Sequence, residues 1–131
     1  MAAANSKKNI LVMDSDEISL YMVEQLLLER YSIFPALSGR KALDFVYRKR
    51  FIPDLILLDL LMPDIDGWDI YDLLKATDFL RDVPIAFLTS LDNAKEKKRA
   101  SESGVADYIT KPYCKEAFIT RIEAILIPSV P

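Results

Sequence analysis

The sequence predicts an α/β fold in which helices cover both faces of a doubly wound parallel sheet. Apolar runs of strand length recur along the chain, and segments with the spacing of amphipathic helices fill the gaps between them. Residues 55–58 are all apolar and lie between Pro53 and Pro63, which indicates a strand buried on both faces. Five such strands alternating with five helices imply parallel pairing with right-handed crossovers.

Each strand is followed by a segment of helical spacing. The strands are predicted at residues 10–13, 33–37, 55–58, 85–88 and, more weakly, 108–109. The helix after the first strand has Ile18, Met22 and Leu26 on one stripe, which predicts that these side chains face the core. Residues 94–103 form a charged fourth helix that ends at Gly104. The stripes predicted for the other helices are Ala42, Phe45 and Val46, then Ile70, Leu73, Leu74 and Thr77, and finally Phe118, Ile122 and Ile125.

The composition fits one domain in a reducing compartment. With 131 residues and 51% apolar composition, we expect a flexible N-terminal tail at residues 1–8 and a single domain at residues 9–131. Cys114 is the only cysteine, which excludes an intrachain disulfide and favours the cytoplasm. The net charge of -3 argues against direct binding of nucleic acid. The sequence has neither a secretory signal nor the roughly 20 apolar residues of a membrane span, so we expect no membrane contact.

Polar residues with complementary chemistry follow four of the strands. Asp14, Asp59, Thr89 and Lys111 come after strands one, three, four and five. Because ligands bind beyond the carboxyl ends of the strands in such a sheet, we expect these side chains to meet there. Two adjacent carboxylates require a cation or a shared proton, and their oxygens suit Mg²⁺; an ammonium and a hydroxyl beside them suit a phosphoryl group on a carboxylate. The chain contains no histidine, so any phosphohistidine has to come from a partner.

Short motifs surround these four residues. They are Asp14-Ser15-Asp16, Asp59-Leu60-Leu61-Met62-Pro63 with Asp66-Gly67, Phe87-Leu88-Thr89-Ser90, and Tyr108-Ile109-Thr110-Lys111-Pro112. In this order the motifs resemble the receiver domain of two-component response regulators, over roughly residues 8–127. The resemblance implies a flavodoxin-like fold with strand order 2-1-3-4-5, and a signalling domain rather than an enzyme.

The resemblance also implies a role for each site residue. Asp59 would accept a phosphoryl group from a histidine kinase or phosphotransfer protein in a Mg²⁺-dependent reaction. Asp14, Asp59 and the backbone carbonyl of Leu61 would hold the metal. The residues that would contact the phosphoryl group or switch with it are Lys111, Thr89 and Tyr108.

One position departs from the family pattern. Receivers usually carry two adjacent acids after the first strand, the second being a metal ligand, but Ser15 stands there in this chain. A neutral hydroxyl in place of a carboxylate predicts weaker Mg²⁺ binding. Asp16 either reaches the ion through water or serves as the N-cap of the first helix, a position that favours Asp.

Two leucines and one surface acquire roles from the same resemblance. Leu61 and Leu91 lie two positions after Asp59 and Thr89, where receivers control the access of water to the acyl phosphate. Apolar side chains there predict slow loss of the phosphoryl group.

The last helix has two further apolar residues. They belong either to the core or to a homodimer surface formed by helix four, strand five and helix five. These residues are Ile119 and Leu126.

Two other interpretations stay open. Residues 10–18 also resemble the opening of haloacid-dehalogenase phosphatases, in which Asp14 would be a catalytic nucleophile. That family needs a later acidic pair and usually a cap insertion, for which this chain lacks room. The other alternative is a receiver-like interaction module that is never phosphorylated, which the neutral Ser15 favours. Two adjacent acids argue against it, because they cost stability when they have no chemical role.

Overall fold

The computed structural model describes residues 7–127, in which five parallel strands form one sheet in the order β2-β1-β3-β4-β5. The strands are β1 (Lys8–Met13), β2 (Tyr31–Ala36), β3 (Leu55–Leu58), β4 (Ile85–Thr89) and β5 (Asp107–Thr110). The helices are α1 (Glu17–Leu27), α2 (Gly39–Lys49), α3 (Gly67–Ala76), α4 (Ala94–Ser103) and α5 (Lys115–Leu126). The predicted flavodoxin-like fold and strand order are confirmed.

The two ends of the described chain fix how far the predicted boundaries apply. Residues 1–6 of the predicted tail lie outside the described residues, as do residues 128–131. Lys8 already belongs to β1 and pairs with Tyr31, so the sheet begins one residue before the predicted domain boundary. Within residues 7–127, none of the helices has the length and apolar character needed to cross a membrane.

The sheet separates two cores because alternate side chains of each strand point to opposite faces. The side chains of β3 and of residues 10–13 in β1 are buried on both faces, as the continuous apolar runs predict. Leu11, Met13, Ile56 and Leu58 pack under α2, α3 and α4. The opposite face packs under α1 and α5, through residues that include Ile10, Val12, Leu55 and Leu57.

The predicted core stripe of α1 is confirmed only at Leu26, which is half-buried against the core beneath α1 and α5, and is wrong at its other two residues. Ile18 is 73% exposed and Met22 is 42% exposed, whereas Leu20, Val23 and Leu27 face the core. The helix carries apolar residues on two stripes, and spacing alone does not tell which stripe meets the sheet. The same ambiguity affects α3, where the predicted core residue Leu73 is 46% exposed.

Strand β2 forms one edge of the sheet and contains Pro35, which is paired in register with Val12. The backbone nitrogen of Asp14 donates to the carbonyl oxygen of Ala36 at 3.0 Å, so the polar backbone groups of Ala36 face β1. Because successive residues alternate, the nitrogen of Pro35 faces away from β1, where its missing N–H costs no ladder hydrogen bond.

Candidate functional site

Three of the predicted site residues meet at the carboxyl edge of the sheet. Strands β1 and β3 pair with Met13 opposite Leu58, which places the following residues, Asp14 and Asp59, side by side. The Lys111 ammonium lies 2.6 Å from Asp14 Oδ2 and 3.0 Å from Asp59 Oδ2. The Lys111 side chain is 17% exposed, and those of Asp14 and Asp59 are only 2% and 7% exposed. The cation that two adjacent carboxylates require is therefore supplied by the chain itself.

Local backbone groups orient both carboxylates. Asp14 Oδ1 accepts a hydrogen bond from the backbone nitrogen of Asp16 at 2.9 Å. Asp59 Oδ1 accepts one from the backbone nitrogen of Leu61, also at 2.9 Å. Each carboxylate thus has one oxygen held by an N–H two residues later and the other held by Lys111. Charge-assisted hydrogen bonds of this kind fix the carboxylates before any ligand arrives.

Lys111 stays protonated at neutral pH. Burial acts to lower the pKa of its ammonium, but hydrogen bonds to Asp14 and the negative charge of Asp59 outweigh burial and raise the pKa above the ordinary 10.5. A raised folded-state pKa contributes stability at and below the ordinary value, and this contribution is lost only as the pH rises through the folded-state pKa.

The donor set fits Mg²⁺ with a small number of protein ligands. Residues 7–127 contain no group of three or more His, Cys, Asp or Glu side chains placed to hold a metal. Mg²⁺ is commonly bound by one or two carboxylates and several waters, and the adjacent side chains of Asp14 and Asp59 supply two carboxylates at this edge. Ser15 is half-buried at this edge and adds no charge. The Asp16 side chain accepts from the backbone nitrogen of Ile18, so its interpretation as the N-cap of α1 is confirmed.

The predicted switch residues converge on Leu91, in the loop between β4 and α4. Thr89 is fully buried, and its Oγ1 accepts a hydrogen bond from the backbone nitrogen of Leu91 at 3.2 Å. The Tyr108 hydroxyl donates to the carbonyl oxygen of the same residue. Burial, followed by the charges of Glu96, Asp92 and Asp59, raises the pKa of Tyr108, so this hydroxyl remains a donor at neutral pH.

A cleft of about 550 Å³ opens over Asp59. Leu61 lines it and is 50% exposed. Leu91, the other leucine predicted to control water, packs instead against the core beneath α2, α3 and α4. The cleft also has apolar walls that the sequence interpretation missed, formed by Ile18, Met22 and Tyr113. The first two belong to the α1 stripe, whose spacing is visible in the sequence but was assigned to the core.

The loop after Asp59 is held in place from two sides. A Cβ on Gly67 would lie 2.5 Å from the Leu60 Cα, so only glycine permits the close approach that returns the loop to α3. The Asp64 carboxylate accepts hydrogen bonds from the backbone nitrogens of Gly39 and Arg40, at 3.2 and 2.9 Å. These contacts tie the loop to the start of α2 and lower the pKa of Asp64, chiefly through the Arg40 bond.

This fold and edge cluster define a class of signalling domain, and comparison with known proteins identifies the family. The family described as "Response regulator receiver domain" matches residues 10–123, and the chain belongs to it. Response regulator MprA of Mycolicibacterium vanbaalenii is 34% identical over 123 residues, which are 93% of this chain and 52% of that protein. The DNA-binding dual master transcriptional regulator RpaA of Synechocystis sp. is 33% identical over 118 residues, which are 89% of this chain and 48% of that protein.

Solved structures agree with this family. The non-phosphorylated HemR receiver domain of Leptospira biflexa superimposes with a TM-score of 0.82 at 29% identity, over 95% of this chain and 98% of that domain. The chain spans about half the length of the MprA and RpaA regulators. The predicted recognition as a receiver domain is confirmed, and the match favours neither the phosphatase nor the silent module.

Proposed function

We propose that this receiver domain accepts a phosphoryl group on Asp59 from a phosphohistidine of a partner protein. In this step a P–O bond forms at the Asp59 carboxylate as the P–N bond of the phosphohistidine breaks, and the released imidazole takes up a proton. The observation that carries the proposal is the placement of Asp59, a buried carboxylate held by Lys111 at the floor of an open cleft. Such a carboxylate is costly in a purely structural role.

The neighbouring residues support this chemistry by charge and position. Lys111 brings a fixed positive charge to the place where the phosphoryl oxygens would lie. Asp14, Asp59 and the Leu61 carbonyl would hold Mg²⁺, with Asp16 contributing at most through water. Bound Mg²⁺ would offset the negative charge of the phosphoryl group. Because Ser15 leaves the site one carboxylate short, we expect this metal to bind weakly.

Switching would start at Thr89. Its hydroxyl is already within hydrogen-bond distance of the Leu91 nitrogen, and turning it towards a phosphoryl group would break that bond. Tyr108 holds the carbonyl of the same loop residue, so a changed Tyr108 rotamer would release the loop further. The proposed output is therefore a changed surface around α4 and β5. The protein would be a phosphoryl acceptor rather than a turnover enzyme, with slow loss of phosphate as its only hydrolytic activity.

The exposed stripe of α1 supports a protein as the phosphoryl donor. Ile18, Tyr21 and Met22 are 73%, 61% and 42% exposed, and two of them line the cleft over Asp59. Apolar side chains beside a reaction site are the usual core of a protein contact. A histidine kinase or phosphotransfer protein that covers this stripe would bring its histidine to Asp59, and both partners would meet in the cytoplasm.

Homodimerisation through α4, β5 and α5 stays a prediction. Ile119 and Leu126, which the sequence offered to either the core or this surface, pack against the core beneath α1 and α5. Asp107 of β5 is engaged by Arg121 of α5 within the chain, at 2.7 and 2.8 Å. A dimer would therefore depend on polar contacts there rather than on an apolar patch.

Intact-mass measurement after incubation with acetyl phosphate and Mg²⁺ tests the proposed function. We expect the wild-type protein to gain one phosphoryl group and Asp59→Asn to gain none. If the wild-type mass matches that of Asp59→Asn, the protein is the silent interaction module. If Asp14→Asn alone abolishes a catalytic turnover of phosphate esters, the phosphatase interpretation replaces the proposal.

A further inference from the structure

Helix α4 is held to the domain by polar contacts more than by apolar burial. Its sequence from Ala94 to Ser103 is rich in charge, and Ala100 is its only buried residue. A helix usually gains its stability in a protein from an apolar face, which α4 nearly lacks. Its position must therefore depend on other contacts.

Two aromatic side chains of α3 hold the two ends of α4. Trp68 Nε1 donates a hydrogen bond to Glu96 Oε1 at 2.7 Å near the start of α4. The Tyr71 hydroxyl donates to the carbonyl oxygen of Ser103 at 2.6 Å, at its end. The Arg99 guanidinium lies 4.1 Å from the Trp68 ring centroid, which adds a cation–π contact between the same helices. Both aromatic side chains are only 6% exposed.

The Trp68 contact is not required for the local formation of α4. Asn93 caps the helix by accepting from the backbone nitrogen of Glu96 at 2.9 Å. In a capping box the glutamate at this position returns to the N-cap backbone, but here its carboxylate reaches the indole of Trp68 instead. The side chain of Glu96 therefore fixes where α4 lies rather than whether it forms.

The same aromatic residues connect α4 to the predicted switch. The Trp68 ring packs edge-on against Phe87 of β4, with centroids 4.8 Å apart. Phe87 in turn packs edge-on against Tyr108 at 6.0 Å. Tyr108 holds the Leu91 carbonyl, just before α4, so the contacts form a closed circuit through α3, β4, β5 and the loop that leads into α4.

We propose that Trp68, Glu96 and Arg99 form a latch that holds α4, and with it the loop at Leu91, in the arrangement described above. We further infer that the latch opposes the loop movement that switching needs. This inference about switching rests on the proposed function. Trp68, Glu96 and Arg99 are positioning residues, since none of them contacts Asp59. Loss of the charge-assisted Trp68 hydrogen bond would raise the population of opened α4 about tenfold.

Amide hydrogen exchange on the unphosphorylated 131-residue chain tests the latch directly. We expect Glu96→Ala to speed exchange about tenfold in residues 91–103 and to leave β1 and β3 unchanged. Glu96→Gln keeps a hydrogen-bond acceptor and should restore most of the protection. Glu102→Ala is the matched control, because it removes a carboxylate from the exposed side of the same helix. Arg99→Ala, matched with Lys98→Ala, should give a smaller increase.

Exchange in α4 that is the same in Glu96→Ala and Glu102→Ala, or that rises throughout the sheet, would overturn the latch. A second measurement, the initial rate of phosphoryl uptake from acetyl phosphate, should be severalfold higher in Glu96→Ala than in Glu102→Ala; equal rates would overturn the link to switching. If the wild-type protein takes up no phosphoryl group, the proposed function fails, and hydrogen exchange alone decides the latch.

Discussion

The two sides of the carboxyl edge are built on different principles. On one side, Asp14 and Asp59 are almost completely buried beside the partly buried Lys111, and every carboxylate oxygen has a hydrogen-bond partner. On the other side, Thr89 and Tyr108 each make one hydrogen bond to the backbone of a single loop residue. Breaking a buried charge pair costs several times more than breaking one neutral hydrogen bond. The side that we propose for the chemistry is therefore the rigid side, and the side that we propose to transmit a change is the weak side, held by single hydrogen bonds.

The largest test of this contrast is Lys111→Met, which leaves two buried carboxylates facing each other without a cation. We expect the free energy of unfolding at neutral pH to fall by about 3 kcal/mol, as measured by urea denaturation. Lys115→Met is the control, because it removes a positive charge from an exposed position that lines the same cleft. Adding Asp14→Asn to Lys111→Met should recover part of the loss. Equal stability of the two lysine variants would contradict the argument.

Leu61→Asn tests whether the rigid side also excludes water. An amide in place of the exposed leucine would offer attacking water a hydrogen bond at the mouth of the cleft. We expect the phosphorylated form to decay about tenfold faster or more, followed by intact mass after removal of acetyl phosphate. Leu73→Asn, at an exposed leucine on α3, should decay like the wild-type protein. Equal decay rates for all three proteins would refute the gatekeeping role of Leu61.

Ser15→Asp introduces a second acid beside Asp14. We expect it to tighten Mg²⁺ binding about tenfold, since it adds one negative charge close to the metal. Isothermal titration calorimetry measures this affinity without phosphorylation. Ser15→Ala removes the hydroxyl without changing the net charge of the site, so the Mg²⁺ affinity of this variant should stay near that of the wild-type protein. An unchanged affinity for Ser15→Asp would show that the neutral side chain at this position does not limit Mg²⁺ binding.

Tyr108→Phe tests the weak side of the edge and should have the smallest effect on stability. The variant keeps the ring against Phe87 but loses the donor to the Leu91 carbonyl, so we expect a loss of about 1 kcal/mol in unfolding free energy. Phosphoryl uptake should persist, because Tyr108 does not contact Asp59. A loss of stability as large as that of Lys111→Met would break the contrast between the two sides.

The same contrast explains what the sequence could predict. Asp14, Asp59 and Lys111 were predicted together because each follows a strand, and parallel strands end at one edge of the sheet. The orientation of α1 was missed, since its two apolar stripes are equivalent until the loop after β1 sets the direction of the helix. The contact between Trp68 and Glu96 was missed as well, because it joins residues 28 positions apart through side chains on two different helices.

Pro35 has a consequence for the whole molecule. An exposed edge strand offers unpaired N–H groups to any other strand that approaches, which is a route to aggregation between sheets. On β2 one of the outward positions holds a proline nitrogen, which cannot donate, so a foreign strand would meet a gap in the ladder it tries to form. The sheet therefore resists growth at the β2 edge.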